Sequence, residues 1–538
     1  MGKKWNMALS LLLVVSMVLT ACGGVQQGAG GKDKQELNWV ITAEPPGLDS
    51  AITTDTVSFQ ILNNITEGLY RLNKDNEPEP AIAKDVEISD DKKTYTFKLR
   101  DAKWSDGKPV TAHDFEFAWK RALDPKNKSQ YAYILFPIQG AQEYNEGKGD
   151  QEDVAVKAVD DKTLKVELKD PIPYFLMMTS FATYRPQRED IVEKYGKDFA
   201  EDPDKMVYNG PFKLTQWQHN KSLKLEKNEK YWDKDKVKLD TINFTKSDEV
   251  STQVNLYNTG KLDFVENLDA SFVDKFKGKE DVKVFNETTT FYLQFNTNDQ
   301  FFANEKIRKA FTMALDRSIM TDKISKTGSK PAQGLVPPNV EVDGKSFREL
   351  SGKYLKEDPK EAKKLLEEGM KEEGIKKVPK VELLGYDRDT AKKDQEYMQQ
   401  TFKEVLGVDV DIQILPFKQK LEREDAGKFQ ISYAGWGADY NDPMTFLDLW
   451  VTGNAFNRGD WSNKEYDKLI KKAQSNPDFE ERAKQLAKAE KILMEEQAIA
   501  PLYHRARMQL QKPYVKNVWR HPFGADYTFK EAYIEGKQ

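Results

Sequence analysis

The 538-residue chain is poor in the residues that most often carry chemistry. Cys22 is its one cysteine, which leaves no disulfide, thiolate zinc cluster or thiol nucleophile to draw from the folded body. There are four histidines, His113, His219, His504 and His521; none has the HxxxH spacing of a helical metal pair, and none sits beside a candidate nucleophile. His113 precedes Asp114 at a helix start and reads as structural. Gly147-Lys148-Gly149 lacks the preceding pattern of a phosphate-binding loop. No Ser/His/Asp arrangement stands out, although order along a chain does not by itself exclude one. Asp439 and Asp442 could serve as an acid and a base, but a spacing of three beside a proline turn is ordinary in loops. An enzyme is therefore not expected, and neither a cofactor nor a metal. Excess basic charge is also missing: 83 Lys and Arg face 88 Asp and Glu, a net charge of −5 that gives nucleic acid no footing. Beyond the amino terminus no stretch is apolar enough to cross a membrane.

The amino terminus is informative. Lys3 and Lys4 precede an apolar run from Met7 to Leu19, then Leu19-Thr20-Ala21-Cys22. A charged start, a short apolar core and small residues before a cleavage point make a secretory signal over residues 1–21. The run is short for a retained transmembrane helix. Leu-Thr-Ala-Cys also resembles the bacterial lipobox, which implies cleavage before Cys22 and lipid on that residue. Cleavage would remove both lysines and move the net charge to about −7. The glycine- and glutamine-rich stretch that follows, within residues 22–35, reads as a flexible tether.

The remaining body of more than 500 residues exceeds one ordinary core and should form two or three domains. Leu37 to Ile41 reads as a first strand, followed by Glu44-Pro45-Pro46-Gly47, whose prolines hold the chain extended and suit a sheet edge. Phe59 to Leu69 is helical in pattern. A β-rich section follows, with alternating strands through Tyr95, Phe97 and Leu99 and through Leu164, Val166 and Leu168. Ile307, Ala310, Phe311, Ala314, Leu315 and Ile319 fall on one face of a helix. Arg308 and Arg317 there read as surface or domain-packing charges. From Val381 to Ala434 strands and helices alternate, which favours a parallel sheet with ligands at the carboxyl ends of its strands.

At one such end stands Gly435-Trp436-Gly437-Ala438-Asp439-Tyr440-Asn441-Asp442-Pro443. Two glycines around a tryptophan leave backbone exposed beside a flat indole, and Asp439 offers a carboxylate to an ammonium. The same residues also read as a strand entering a tight turn, with Asp439 capping a backbone amide.

The motifs together resemble, over nearly the whole length, the extracytoplasmic solute-binding proteins of oligopeptide ABC importers. In family order they are the lipobox, Pro46-Gly47-Leu48-Asp49, Asp106 to Phe115, Tyr208-Asn209-Gly210-Pro211-Phe212, Ile307 to Phe311 with Ala314 to Arg317, and Gly435 to Tyr440. The resemblance implies an α/β fold of the periplasmic-binding-protein type II kind, two lobes with a hinge, plus an extra β-rich domain. Residues 36–62, 188–293 and 505–538 would form lobe I, 63–187 the extra domain, and 294–504 lobe II. It also implies that Asp439 takes a peptide's α-ammonium and that Gly435, Trp436 and Gly437 pair with its backbone. Glu44, Pro45, Pro46 and Gly47 would pair from the other lobe, and Tyr131, Tyr292 and Phe417 would wall the pocket. A well-studied branch holds the peptide carboxylate with an arginine two residues before the Gly-Trp. This chain has Tyr433 there, with Arg423 nearby. The implied function is that of a lipid-anchored monomeric receptor on the extracytoplasmic face of the cell membrane, which captures extended oligopeptides for ABC permease subunits. Alternatives are a receptor of the same fold for another solute (a metal chelate, an opine-like compound, a sugar) or for a signalling peptide, and, from a different class, a secreted hydrolase.

Overall fold

The computed structural model describes residues 34–537 apart from 343, 388 and 477, so the expected signal peptide, Cys22 and most of the tether lie outside the described residues. Three sheets organise the rest. The first has four strands in the order Glu36–Ile41, Thr241–Lys246, Ser222–Lys227, Phe212–Gln218, with the first pair parallel and the others antiparallel. Its leading strand buries Leu37, Trp39 and Ile41; Trp39 stacks on Phe264 at 3.6 Å and meets Tyr527 and Phe529 edge-on.

The β-rich section forms an antiparallel sheet, Ala83–Ile88, Thr94–Leu99, Thr163–Glu167, Val156–Asp160. The helix Ala112–Leu123 packs on it with Phe115, Ala118, Trp119 and Ala122 inward. Asp114 fixes the start of that helix, accepting from Thr111 N at 2.8 Å and Trp104 Nε1 at 3.1 Å. The section is tied to the amino-terminal segment by Asp49, whose carboxylate takes both Nη groups of Arg121 at 2.8 and 2.7 Å and Gln187 Nε2 at 2.8 Å.

The largest sheet runs Phe264–Val265, Ile499–Gln511, Val282–Phe295, Ile431–Gly437, Val381–Tyr386, Val410–Leu415. The parallel arrangement expected for the last three strands is present, since Val381–Tyr386 is parallel to both neighbours. The sheet as a whole is mixed, because Ile431–Gly437 also pairs antiparallel with Val282–Phe295. Two of its strands are unusually long, Val282–Phe295 with 14 residues and Ile499–Gln511 with 13. They pair along their length, so one end of the pair belongs with Phe264–Val265 and the other with Ile431–Gly437. The register breaks between Asn286 and Thr290, midway along the pair. A long, continuous pair with an irregularity at its middle can join two lobes and still bend.

The expected single helix through Ile307 and Ile319 is interrupted. Glu305–Met313 ends near Ala314, Asp316 caps a short turn over Arg317–Ile319, and a π-helical turn follows over Met320–Ser325. Arg308 and Arg317 are buried rather than on the surface, and both serve packing. Arg308 donates to the carbonyls of Phe302, Ala303, Glu496 and Gln497, and Arg317 to those of Thr312, Leu315 and Pro501. A guanidinium with five donors can satisfy the orphan carbonyls of several chain ends at once. His113 is exposed, with Asp161 at 3.6 Å.

The Tyr208-Asn209-Gly210-Pro211-Phe212 motif has a steric cause. Asn209 accepts from Glu67 N at 2.9 Å and donates to Glu67 O at 2.8 Å, while Gly210 N donates to Ile65 O at 3.1 Å. A Cβ on Gly210 would sit 2.6 Å from the carbonyl carbon of Ile65 and the amide of Thr66, backbone atoms at the end of the helix Thr56–Ile65. Gly210→Ala should therefore destabilise the protein by about 1–3 kcal/mol, read as a lower midpoint in denaturant unfolding with an unchanged slope.

Candidate ligand cavity

Along one edge, Ile431–Gly437 pairs with Val282–Phe295 throughout, with Gly435 opposite Phe291 and Gly437 opposite Thr289. Along the other, pairing with Val381–Tyr386 stops at Ser432. From Ala434 onward that edge borders a cavity lined by residues from Thr42 to Asp526. Gly435-Trp436-Gly437 thus lie within the strand rather than in a turn, and Gly435 is exposed there despite its place in a central strand. A Cβ on Gly435 would come 3.1 Å from the Phe291 ring, so the glycine gives both a bare edge and room for that ring.

Asp439 follows the strand and lines the cavity. Its carboxyl accepts from the hydroxyls of Tyr131 at 3.0 Å and Thr445 at 3.4 Å, and no backbone amide among the described residues donates to it. Among the described residues no cation pairs with it. Burial pushes its pKa up to about 8 against the opposing pull of the hydroxyls. Asp442, three residues on, is handled differently: Arg482 takes both its oxygens at 2.8 and 2.7 Å. One acid of the motif is locked in structure, and the other waits without a counter-charge.

Aromatic rings wall this end of the cavity. Tyr131 stacks on Trp436 with centroids 6.0 Å apart, and Phe456 meets them edge-on at 5.1 and 4.8 Å. Trp436 Nε1 is buried, with no acceptor among the described residues. Tyr292 and Phe417 also line the cavity, with Tyr292 edge-on to Trp450 and Phe417 edge-on to Tyr386. Asp439, Gly435, Trp436, Gly437, Tyr131, Tyr292 and Phe417 are therefore brought together.

Other expected positions are not. Glu44 turns away, pairing with His219 at 2.9 Å and accepting from Trp217 Nε1 at 3.0 Å and Asn220 N at 2.8 Å. Pro45, Pro46 and Gly47 also fall outside the lining, although Pro46 O accepts from Lys418 Nζ at 3.4 Å. Thr42 and Ala43, immediately upstream, supply the wall instead. Tyr433 faces a smaller chamber behind Phe291, donating to Asp394 at 2.7 Å. Arg423 points elsewhere, onto Glu382 and the carbonyl of Lys428. The cations that do line the cavity are Lys420, paired with Glu424 at 2.6 Å, Arg458, paired with Asp425 at 2.6 Å, and Arg505. Sequence pattern gave no signal for these three: Arg505 lies about 70 residues past the Gly-Trp-Gly segment, Lys420 on the buried face of a helix, and Arg458 in a turn with no motif of its own. Among the described residues no group of three or more His, Cys, Asp or Glu is placed to hold a metal, and no helix is long and apolar enough to cross a membrane.

Segments distant in sequence meet at the cavity. Besides Tyr131 to Asp439, Gly524 N donates to Ala438 O at 2.7 Å, and Arg458 in the lining donates to Gln130 just outside it at 2.9 Å.

Two lobes joined by a long strand pair, with a bare strand edge and an uncompensated carboxyl facing the space between them, define a solute-binding receptor of the two-lobed α/β class. The chain belongs to the bacterial extracellular solute-binding proteins, family 5, whose middle-region profile matches residues 77–458. It is 42% identical over 532 residues to the dipeptide-binding protein DppE of Bacillus subtilis (strain 168), covering 97% of each chain. It is 40% identical over 551 residues to the oligopeptide-binding protein OppA of the same organism, covering 99% of this chain and 100% of that one. Its structure superposes on that of Listeria monocytogenes OppA bound to peptide with a TM-score of 0.90, at 41% identity, over 94% of this chain and 100% of the other.

The buried carboxyl has a cost that can be measured. The folded chain holds the Asp439 proton up to about pH 8, whereas an unfolded aspartate releases it near pH 3.9, so this group's contribution to stability falls between those values and is level above pH 8. Asp439→Asn removes that slope. The variant, without ligand, should melt above the wild type at pH 8, with the difference shrinking towards pH 5, in thermal scans across that range.

Proposed function

We propose that the protein is an extracytoplasmic receptor that captures extended oligopeptides by the amino terminus and delivers them to an ABC-type permease. The observation that carries this reading is the position of Asp439, a buried carboxyl without a cation at the end of a strand edge that lacks a neighbour. An incoming peptide meets both needs. Its backbone completes the edge at Ala434 to Gly437, opposite Thr42 and Ala43 on the other side of the cavity, and its ammonium neutralises Asp439. Neither contact depends on side-chain identity, so one site can take many sequences. The two named relatives from Bacillus subtilis are peptide-binding proteins by their descriptions, which agrees with this chemistry. Contacts to both lobes favour the closed state, which is the signal a permease must distinguish. Binding is the whole of its activity, with transport chemistry left to the importer.

Mass spectrometry under native conditions on protein purified from a peptide-rich medium should find retained peptides; a single non-peptide mass would instead make it a receptor for another solute. Asp439→Ala should weaken peptide binding about 10- to 100-fold with the fold intact, the loss expected for a hydrogen bond to a charged group. Below pH 8 the arriving ammonium must expel the Asp439 proton, so calorimetry near pH 6.5 in buffers of differing ionisation enthalpy should report close to one proton released per peptide. Affinity should rise towards pH 8 and fall beyond it as the peptide amine itself deprotonates.

Lipid on Cys22 would hold the body at the membrane surface through the following tether, as a monomer beside its permease. Cys22→Ser should move the protein from the membrane fraction to the medium when both are probed by immunoblot.

A further inference from the structure

Behind Phe291 the cavity opens into a smaller chamber, and one charged side chain faces both. Thr42, Phe291, Tyr386 and Arg505 line the two spaces, and Asp394, Tyr433 and Tyr503 lie deeper in the chamber. The carboxyl groups there already have partners. Asp394 receives the hydroxyls of Tyr433 at 2.7 Å and Tyr503 at 2.9 Å, Asp248 pairs with Lys246 at 3.2 Å, and Glu266 pairs with Arg507.

Arg505 is only half-satisfied. Its Nε donates to Glu287, and its guanidinium lies 5.1 Å from the centroid of the Phe291 ring. Its two Nη groups donate to nothing among the described residues. Glu287 cannot neutralise it alone, because the same carboxylate also takes Arg507 Nε at 2.6 Å and an Nη of Arg520. Arg507 has Glu266 and, at 3.2 Å, Asp526 as further partners; among the described residues Arg505 makes its one ion pair with Glu287, and Asp526, already bonded to Arg507, acts on it only at longer range. Glu287 sits in the register break of the long strand pair, opposite Arg505. The guanidinium is thus fixed at one edge and by one ring face, with the opposite edge turned into open space. That is the arrangement in which arginine grips a carboxylate through two parallel N–H groups.

We infer that Arg505 forms a subsite for a carboxylate of the bound peptide, and that this chain favours peptides carrying one at the matching position. The inference rests on the peptide-receptor reading and deepens it by naming a substrate class. The strand of Arg505 lies two strands from Gly435–Gly437, about 10 Å at ordinary strand spacing. A peptide anchored at Asp439 spans that distance with an acidic side chain or with its own carboxyl terminus. Either source supplies the same chemistry.

Calorimetric titration with alanine-based tri- to pentapeptides separates them. One series moves a single Glu along the peptide, a second carries Gln at the same positions, and a third has amidated carboxyl termini. At one position Glu should bind about tenfold or more tighter than Gln, or else amidation should weaken binding by a similar factor. The first outcome assigns an acidic side chain to Arg505 and the second the carboxyl terminus. Arg505→Gln should erase that ratio, and Arg505→Lys should retain part of it. The ratio is taken within one preparation, so any loss of stability in a variant does not obscure it. Equal binding of all three series by the wild type would overturn the proposal, as would a ratio unchanged in Arg505→Gln. Binding of no peptide at all would instead remove the receptor reading on which it stands.

Discussion

A strand that loses its neighbour halfway along its length must still find partners for its backbone. Ile431–Gly437 is bounded on both sides as far as Ser432, and on one side only beyond it. In a sheet edge open to solvent, water would meet that need. Here the edge faces a cavity lined by Thr42 and Ala43 near the amino terminus, by Pro522 to Asp526 near the carboxyl terminus, and by a wall of aromatic rings. The remaining features of the site follow from that edge. Glycine at 435 leaves it bare, Trp436 and Tyr131 form the hydrophobic end, and Asp439 places a carboxyl where an extended chain pairing with the edge would begin.

The electrostatics divide along the same line. Charges that hold the fold have partners: Asp442 with Arg482, Asp49 with Arg121, Lys420 with Glu424. Removing one partner from such a pair strands the other in a low-dielectric interior. Among the described residues Asp439 has hydroxyls alone as side-chain partners, and burial keeps it protonated near neutral pH. Above the unfolded pKa that burial costs stability, and the proposed peptide ammonium would supply the missing charge. Arg505 repeats the pattern with the opposite sign, anchored to Glu287 but open on its far edge. A site of this kind is recognised less by what its residues touch than by which of them lack a natural partner.

Several segments that mark the chain as a family member have no direct part in the cavity. Asp49, Asn209, Gly210, Arg308 and Arg317 lock backbone segments against one another, and their motifs are explained by close approach and by carbonyls that need donors. The order of these motifs still carried the fold, because each marks a junction that the architecture requires. Local pattern carried the strands and most helices for a similar reason. Alternation in Thr94–Leu99 and helical spacing in Ala112–Leu123 report which face is buried whatever lies opposite.

By itself, the sequence determined the class of fold and the Gly-Trp-Gly-Ala-Asp segment as the place to look. Those properties depend on residues close together in the chain or on motifs in a fixed order. Only the tertiary structure decided that Thr42 and Ala43, rather than Glu44 to Gly47, line the cavity, because Glu44 is drawn off by Trp217, His219 and Asn220 from a distant strand and its turn. It alone brought Tyr131 to Asp439 across 308 residues of chain and turned Tyr433 into the side chamber. It alone left Arg505 with a free edge beside Phe291. Whether a charge is satisfied depends on every group that packs around it, and those groups come together only when the chain has folded.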